Sequence, residues 1–255
     1  MNTLLVVDVG NTTTRAGVWH EGTAREVRVT ATRALMGAPG GEAELEAVAD
    51  AAGGGRLRVA ISSVVPEVEL LCARWCQERG LLFMVIHGDT PTRLVNRYAE
   101  PRRLGPDRLA NAVGALARLG APVIVAALGT ATVIDAVSAE KEFLGGAIAV
   151  GVESGVTALS EMTAALPRIH LRAPMPEIGR ATEDCLRLGA VVGAAAMIEG
   201  LAGRFRALIG KSAPLALTGG NAQAVSEHLA LEHHVFPNLT LEGIGAIWAH
   251  AHGTG

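Results

Sequence analysis

The stretch Leu4–Val18, LLVVDVGNTTTRAGV, decides how the rest of the chain is read. A run of apolar and β-branched residues leads into Asp8, then Gly10 and Asn11, then three threonines, and a second apolar run begins at Ala16. This pattern predicts a strand, a tight turn and an antiparallel return strand, because Gly and Asn tolerate the backbone angles that a turn demands. Backbone N–H groups and threonine hydroxyls at such a turn form a concavity for anions, and Asp8 at the end of a buried strand suits a hydrated cation opposite them. By themselves the same residues also describe a hairpin with a polar tip. A second copy favours the anion site. Val123–Val137, VIVAALGTATVIDAV, starts 119 residues after Leu4 and sets Val6 on Val125, Gly10 on Gly129, Thr13 on Thr132 and Val18 on Val137. Two such units at corresponding places predict a duplicated α/β domain whose turns face each other across a cleft. The copy is imperfect, since Ala127 stands where the first turn has Asp8.

The 255 residues suffice for two modest domains or one large one, either with a proper core. Hydrophobic residues make up 49% and aromatics only 3%, so Ala, Val, Leu and Ile must fill those cores. A net charge of −3 provides no general attraction to nucleic acid or to an anionic membrane, and neither is expected as a partner. No window reaches the ~18 uninterrupted apolar residues of a membrane span; the closest, Leu188–Ile198, is bounded by Arg187 and Glu199. The chain enters its first strand without a basic lead, so no signal peptide is expected. Cys72, Cys76 and Cys185 form no CxxC pair, which argues against a disulfide framework and a metal site and for a cytoplasmic protein.

Further along, Glu26–Thr32 alternates like a third strand and Glu42–Ala52 is helical in pattern, ended by Gly53–Gly55. Leu57–Ser62 reads as a strand, Glu67–Gly80 as a helix with Leu70, Leu71 and Trp75 on its apolar side, and Leu81–Ile86 as another strand. Gly88–Gly105 reads as a long ordered loop. A helix opens at Gly105-Pro106-Asp107-Arg108 with Pro in its first turn, and Gly120 closes it after Leu119. The domain boundary is expected there, giving domains 1–119 and 120–255. In the second half, Phe143–Ala149 reads as a strand, Ser154–Ala165 as a helix, and Glu183–Leu208 as a long helix whose small residues suit close contact with another helix or subunit. Leu215–Leu217 is a short strand, and Leu241–His250 the last helix.

Several residues carry possible chemistry. Thr218-Gly219-Gly220 after an apolar strand either lets backbone lie against a nucleotide or is a plain turn. Gly210-Lys211-Ser212 is not a P-loop, because the residue five positions before Gly210 is Phe205. Asp107 in the first turn of its helix either complements the helix dipole or stands ready to accept a proton from a substrate hydroxyl. Arg108 beside it is either a carboxylate grip or a solvated charge. His233, His234, His250 and His252 read as surface residues.

Nine motifs occur in order: Asp8-x-Gly10-Asn11-Thr12; Ser62-Ser63-Val64-Val65-Pro66; Tyr98 seven residues before Gly105-x-Asp107-Arg108; Gly129-Thr130-Ala131-Thr132-x-x-Asp135; Gly145-Gly146-x-Ile148; Thr163-Ala164-x-Leu166-Pro167; Thr182-Glu183; Thr218-Gly219-Gly220; and Leu239-Thr240-Leu241-Glu242-Gly243. In this the chain resembles the type III pantothenate kinases, of the acetate and sugar kinase, Hsp70 and actin superfamily. The resemblance implies two ribonuclease H-like (actin-like ATPase) domains with ATP in the cleft. It implies transfer of the γ-phosphoryl group to pantothenate, giving 4′-phosphopantothenate in the first step of coenzyme A biosynthesis, and a homodimer whose interface completes the substrate pocket. By position, Asp8, Val9, Gly10, Asn11, Thr12, Thr13, Thr14 and Arg15 would form the first phosphate loop, with Mg2+ near Asp8, and Thr130, Gly219 and Gly220 would serve the nucleotide. Asp107 would be the general base. Tyr98, Gly105, Pro106 and Arg108 would hold pantothenate beside it, and Thr182 would reach the substrate from the neighbouring subunit. The family usually has Asp at position 127, Pro at 150 and Asn at 181, where this chain has Ala127, Val150 and Ala181. The first of these, a carboxylate, helps position the phosphates and a monovalent cation, K+ or NH4+, and Asp135 is a candidate to compensate. A second reading, a catalytically impaired relative that binds nucleotide or pantothenate in a regulatory role, draws on Ala127 and Ala181.

Overall fold

The computed structural model describes residues 2–36, 40–51, 56–171 and 174–253. In chain order they form strands β1 (Asn2–Val9), β2 (Thr13–His20) and β3 (Thr23–Ala31), helix α1 (Gly40–Ala51), β4 (Arg56–Ser63), α2 (Pro66–Glu78), β5 (Leu82–Ile86), β6 (Val95–Asn96) and α3 (Pro106–Leu119). There follow β7 (Val123–Leu128), β8 (Ala131–Val137), β9 (Glu142–Val150), α4 (Val152–Met162), α5 (Thr182–Ile209), β10 (Leu215–Thr218), α6 (Ala222–Ser226), β11 (His234–Val235) and α7 (Leu239–Ala251). The expected helix end at Gly53–Gly55 lies outside the described residues.

The chain divides into two compact units. The first holds Met1–Gly120, Lys141–Phe143 and Asn238–Gly255, and the second Ala121–Glu140 and Leu144–Pro237. A single cut after Leu119 therefore misplaces the C-terminal helix, whose partners are in the first unit. The reason is tertiary: α7 packs along α3, with Arg118 donating to Glu242 at 2.6 and 2.9 Å and Thr240 donating to Asn111 at 2.7 Å.

In the first unit the strand order is β3-β2-β1-β4-β5, with β1 antiparallel to β2 and parallel to β4. Leu5, Val7, Val9, Val59 and Ile61 supply one buried face, and α2 covers it with Val68, Leu71, Cys72, Trp75 and Cys76. Leu70 is not part of that face: it is 70% exposed, because its neighbour Leu71 already points inward and the two are about 100° apart around the helix. Burial pushes both the Cys72 and the Cys76 thiols up to about 12, so they behave as inert core residues. The segment expected as a long ordered loop after Gly88 contains β6, which pairs in parallel with Glu142 and Phe143 at the start of β9, and a short 3-10 helix at Pro101–Arg103. A two-residue strand has no period to read, so only the pairing partner reveals it.

The second unit repeats the pattern. From β9 through β8, β7 and β10 to β11 the order matches that of β3 through β5, with β7 antiparallel to β8 and parallel to β10. The duplication expected from the two hairpins is thus present in the topology. One face of this sheet, with Ile124, Ala126, Leu128 and Leu217, packs on Val191, Ala195, Ile198 and Ala202 of α5. By length and composition α5 is apolar enough to cross a membrane, with an 18-residue window of mean hydropathy 1.6, of which 33% is buried, including the face just named. Its other side lines, with α4, an apolar groove of about 610 Å³ that includes Gly155, Leu159, Met162, Gly189 and Gly193. Helix α4 stops at Met162, three residues before the expected end.

Ala181 occupies the N-cap position of α5 in extended conformation and supplies no side-chain bond to the first turn. Ala181→Asn is expected to stabilise the protein by about 1 kcal/mol, raising Tm by ~2–4 °C in a thermal melt.

Candidate active site

The parallel register of β1 and β4 sets Asp8 level with Ser62, which puts both side chains on one face at the carboxyl ends of adjacent strands. Ser62 Oγ donates to Asp8 Oδ1 at 3.2 Å. Beyond Asp8 the chain reverses: Gly10 N–H donates to Thr13 O at 3.0 Å, leaving Asn11, Thr12 and Thr13 exposed at the tip. The turn is braced from behind by Thr32, expected from the sequence only as the end of a strand. Its hydroxyl donates to Gly10 O at 2.7 Å and lies 3.1 Å from the Thr14 hydroxyl. Thr14 is therefore buried as a brace, unlike its exposed neighbours. Arg15 is anchored by Asn238 Oδ1 at 2.7 Å, a partner 223 residues away that no local pattern could indicate.

The second carboxylate comes from the start of α3. Gly105 is its N-cap, and a Cβ there would sit 2.5 Å from Asp107 Oδ1, so the missing side chain is the space that the Asp107 carboxylate uses. Burial is the main cause that raises the Asp107 carboxyl above its usual range, opposed by the N–H and charge of Arg108. Burial, then the nearby Asp107, pushes Asp8 from 3.8 up to about 7, against the pull of the Ser62 bond and Arg15. A carboxylate pair held in this way is short of positive charge, and oxygen donors of this kind suit a hard divalent cation. Arg108 is only 7% exposed; its guanidinium donates to the Tyr98 hydroxyl at 3.4 Å. Asp8, Asp107, Arg108 and Tyr98 all belong to the first unit.

The strain at Asp8 has a measurable sign. A carboxyl that ionises at 3.8 when unfolded and at about 7 when folded contributes stability that is present below pH 3.8 and lost as pH rises through 7. In EDTA, Asp8→Asn is therefore expected to be more stable than the parent at pH 8, by about 2 kcal/mol after allowance for its partial exposure, and equal to it near pH 4. Calorimetric melts at the two pH values check this.

In the second unit the Gly129-Thr130 turn, the start of α4 and the Thr218–Asn221 turn lie against one another. Gly151 N–H and Ser154 Oγ donate to Thr130 O at 3.1 and 2.8 Å, and Asn221 N–H donates to Leu128 O at 3.2 Å. Gly219 has φ +97° and lies so close to Leu128 O that a Cβ would collide with it. Gly220 and Asn221 edge a cavity of about 970 Å³ that is also lined by Glu153, His170, Gln223, Glu227 and His228. Ala127 is level with Thr218, whose buried hydroxyl has no hydrogen-bond partner among the described residues. Asp135 shares the sheet face of Ala127 but stands opposite Val125, about 7 Å further along, and its carboxylate lies close beside Gly146. It does not occupy the position of the missing carboxylate. Thr182 is exposed at the first turn of α5. The four histidines of the sequence reading form no metal cluster among the described residues, and His252 stacks on Trp248.

The duplicated unit, with a hairpin followed by parallel strands, has the fold found in the actin-like ATPases and sugar kinases. Among solved structures it is similar to a conserved putative Baf family transcriptional activator from Campylobacter jejuni (TM-score 0.65, 17% identity, 98% of this chain and 99% of that one). It is also similar to the activator of the 2-hydroxyisocaproyl-CoA dehydratase from Clostridium difficile with bound ADPNP (TM-score 0.58, 12% identity, 98% and 95%). At these identities the likeness establishes the fold. The family follows from sequence: the profile of type III pantothenate kinases matches residues 4–204. The type III pantothenate kinases of Roseiflexus sp. (strain RS-1) and Thermomicrobium roseum are 36% and 34% identical over 96% and 98% of this chain, and over 98% of each relative. The chain belongs to the type III pantothenate kinase family.

Proposed function

We infer that the protein transfers the γ-phosphoryl group of ATP to pantothenate, the first step of coenzyme A biosynthesis. Besides family membership, the observation that supports this most is the convergence of Asp8 and Asp107 in one unit, with the cationic Arg108 next to the second carboxylate. Asp107 accepts the proton of the attacking hydroxyl, for which a carboxylate with a raised pKa is better matched to neutral pH than an ordinary one. Arg108 and Tyr98 grip the carboxylate at the other end of pantothenate, with Gly105 and Pro106 shaping the floor. The exposed tip Asn11–Thr13 offers N–H groups and hydroxyls to the phosphates, with Arg15 adding charge. Asp8 would hold Mg2+, directly or through water, and the ion would supply charge neutralisation of the transferring phosphate. In the second unit, Thr130 and the Gly219-Gly220 backbone serve the nucleotide, and the cavity beside Gly220 has the size and polar edge suited to a nucleoside.

The groove along α4 and α5 supports a homodimer. Met162, Ile148 and Val150 are more than half exposed beside it, an apolar surface of the kind that a second copy covers. Thr182 then serves the partner's substrate. ATP as co-substrate and the free cysteines are consistent with the cytoplasm. The Ala127 side chain offers no oxygen, so K+ or NH4+ is expected to matter little to the parent. Ala127→Asp is expected to make turnover rise with K+, read as kcat/KM across a K+ titration.

An assay coupled to ADP release, with pantothenate as acceptor, tests the function. ADP formation dependent on both pantothenate and Mg2+ is the expected result. Absence of turnover with ATP binding retained would reject it.

A further inference from the structure

Phe143 has no exposed surface and no place in the mechanism above, yet its ring faces the guanidinium of Arg108. Arg108 Cζ lies 5.7 Å from the centre of Phe143 and 5.3 Å from that of Tyr98. The two rings are 6.4 Å apart and inclined at 55°, so they form two walls of one slot around the cation. A cation within about 6 Å of an aromatic face is held by the ring's quadrupole, and held more firmly once desolvated, as Arg108 is.

The slot is set by backbone. Pairing of β6 with β9 puts Asn96 opposite Phe143, and Arg97 N–H donates to Phe143 O at 3.0 Å. The Arg97 side chain grips Glu142 at 2.6 and 2.9 Å, while Asn96 Oδ1 receives the Tyr98 N–H at 2.9 Å. One short ladder therefore fixes both rings at once.

We propose that Phe143 is a positioning residue for substrate recognition: with Tyr98 it fixes the depth and plane of the Arg108 guanidinium, so that its fork is presented to the substrate carboxylate. This rests on the reading of Arg108 as the carboxylate grip. An aliphatic side chain of similar size would fill the volume but supply no π face, and the guanidinium would then sample several orientations. Recognition of a planar carboxylate depends on that orientation, because the two parallel hydrogen bonds need both partners in one plane.

The test is calorimetric binding of pantothenate and of pantothenol, its neutral analogue with a hydroxymethyl group in place of the carboxylate, to the parent, Phe143→Leu, Phe143→Tyr and Arg108→Gln. Arg108→Gln is expected to abolish the preference for the carboxylate. Phe143→Leu is expected to reduce that preference about tenfold with pantothenol binding unchanged, and Phe143→Tyr to restore it. If Arg108→Gln keeps the parent's preference, the reading of Arg108 fails whatever Phe143 does. If Arg108→Gln loses the preference but Phe143→Leu keeps it, or weakens both ligands alike, the positioning role is overturned and the grip stands. Phe143→Met, the other volume-conserving variant without a π face, replaces the leucine variant if a thermal melt shows the latter unfolded.

Discussion

Asp107→Asn is expected to lower kcat by about 100- to 10,000-fold while leaving the affinity for ATP within a factor of about two. The substitution keeps size and hydrogen-bonding capacity, and Gly105 still leaves it room, so the first turn of α3 should be undisturbed. What it removes is the ability to take a proton as the hydroxyl attacks. If Asp107 only complemented the helix dipole, the cost would be about 0.3–1 kcal/mol of stability with no selective loss of kcat. The two roles therefore predict opposite results in two measurements. Stability should even rise at neutral pH for the catalytic role, since burial already disfavours the charged carboxylate. Steady-state kinetics at saturating ATP and pantothenate, with a melt on the same sample, decide it. A variant that turns over at the parent rate removes Asp107 from the mechanism.

Gly243→Ala is expected to be the most destabilising of the conservative changes considered, by about 3 kcal/mol, or roughly 6–12 °C in Tm. Gly243 sits on α7 where its Cα lies against the carbonyl of Ala110 on α3, and an added methyl would overlap that oxygen. Gly114 makes the reciprocal approach on α3, where a Cβ would come within 2.7 Å of Leu239 O. Backbone on both sides cannot yield as a flexible side chain would, so the two helices must move apart. The usual gain from replacing a helical glycine by alanine, about 1 kcal/mol, is too small to offset this. Because Asp107 is carried by α3, the same displacement is expected to lower kcat more than it raises KM for ATP. Calorimetry and kinetics on one preparation check both parts, and unchanged Tm would show that the helices have slack at this crossing.

Much of this molecule was readable along the chain wherever the information is local. The apolar runs, the turn residues and the Gly105-Pro106 helix start located most strands and helices, and the two matching hairpins indicated the duplication now seen in the strand order. The nine ordered motifs named the family that the comparisons establish. Leu70 was misjudged because a helix stripe is narrower than the run of apolar letters suggests. The short β6 and the membership of α7 in the first unit were invisible, since each depends on a partner far off in sequence.

The sequence by itself determined which residue types are available for the chemistry: Asp8 after a buried strand, Asp107 in a first helical turn, Arg108 next to it. Only the tertiary structure decided what surrounds them: Ser62 level with Asp8, Thr32 behind the turn, Asn238 on Arg15, and Phe143 against Arg108. The division follows from the range of the forces. Propensity and capping act over a few residues, whereas burial, register and a shared electrostatic environment arise only when distant segments exclude water together.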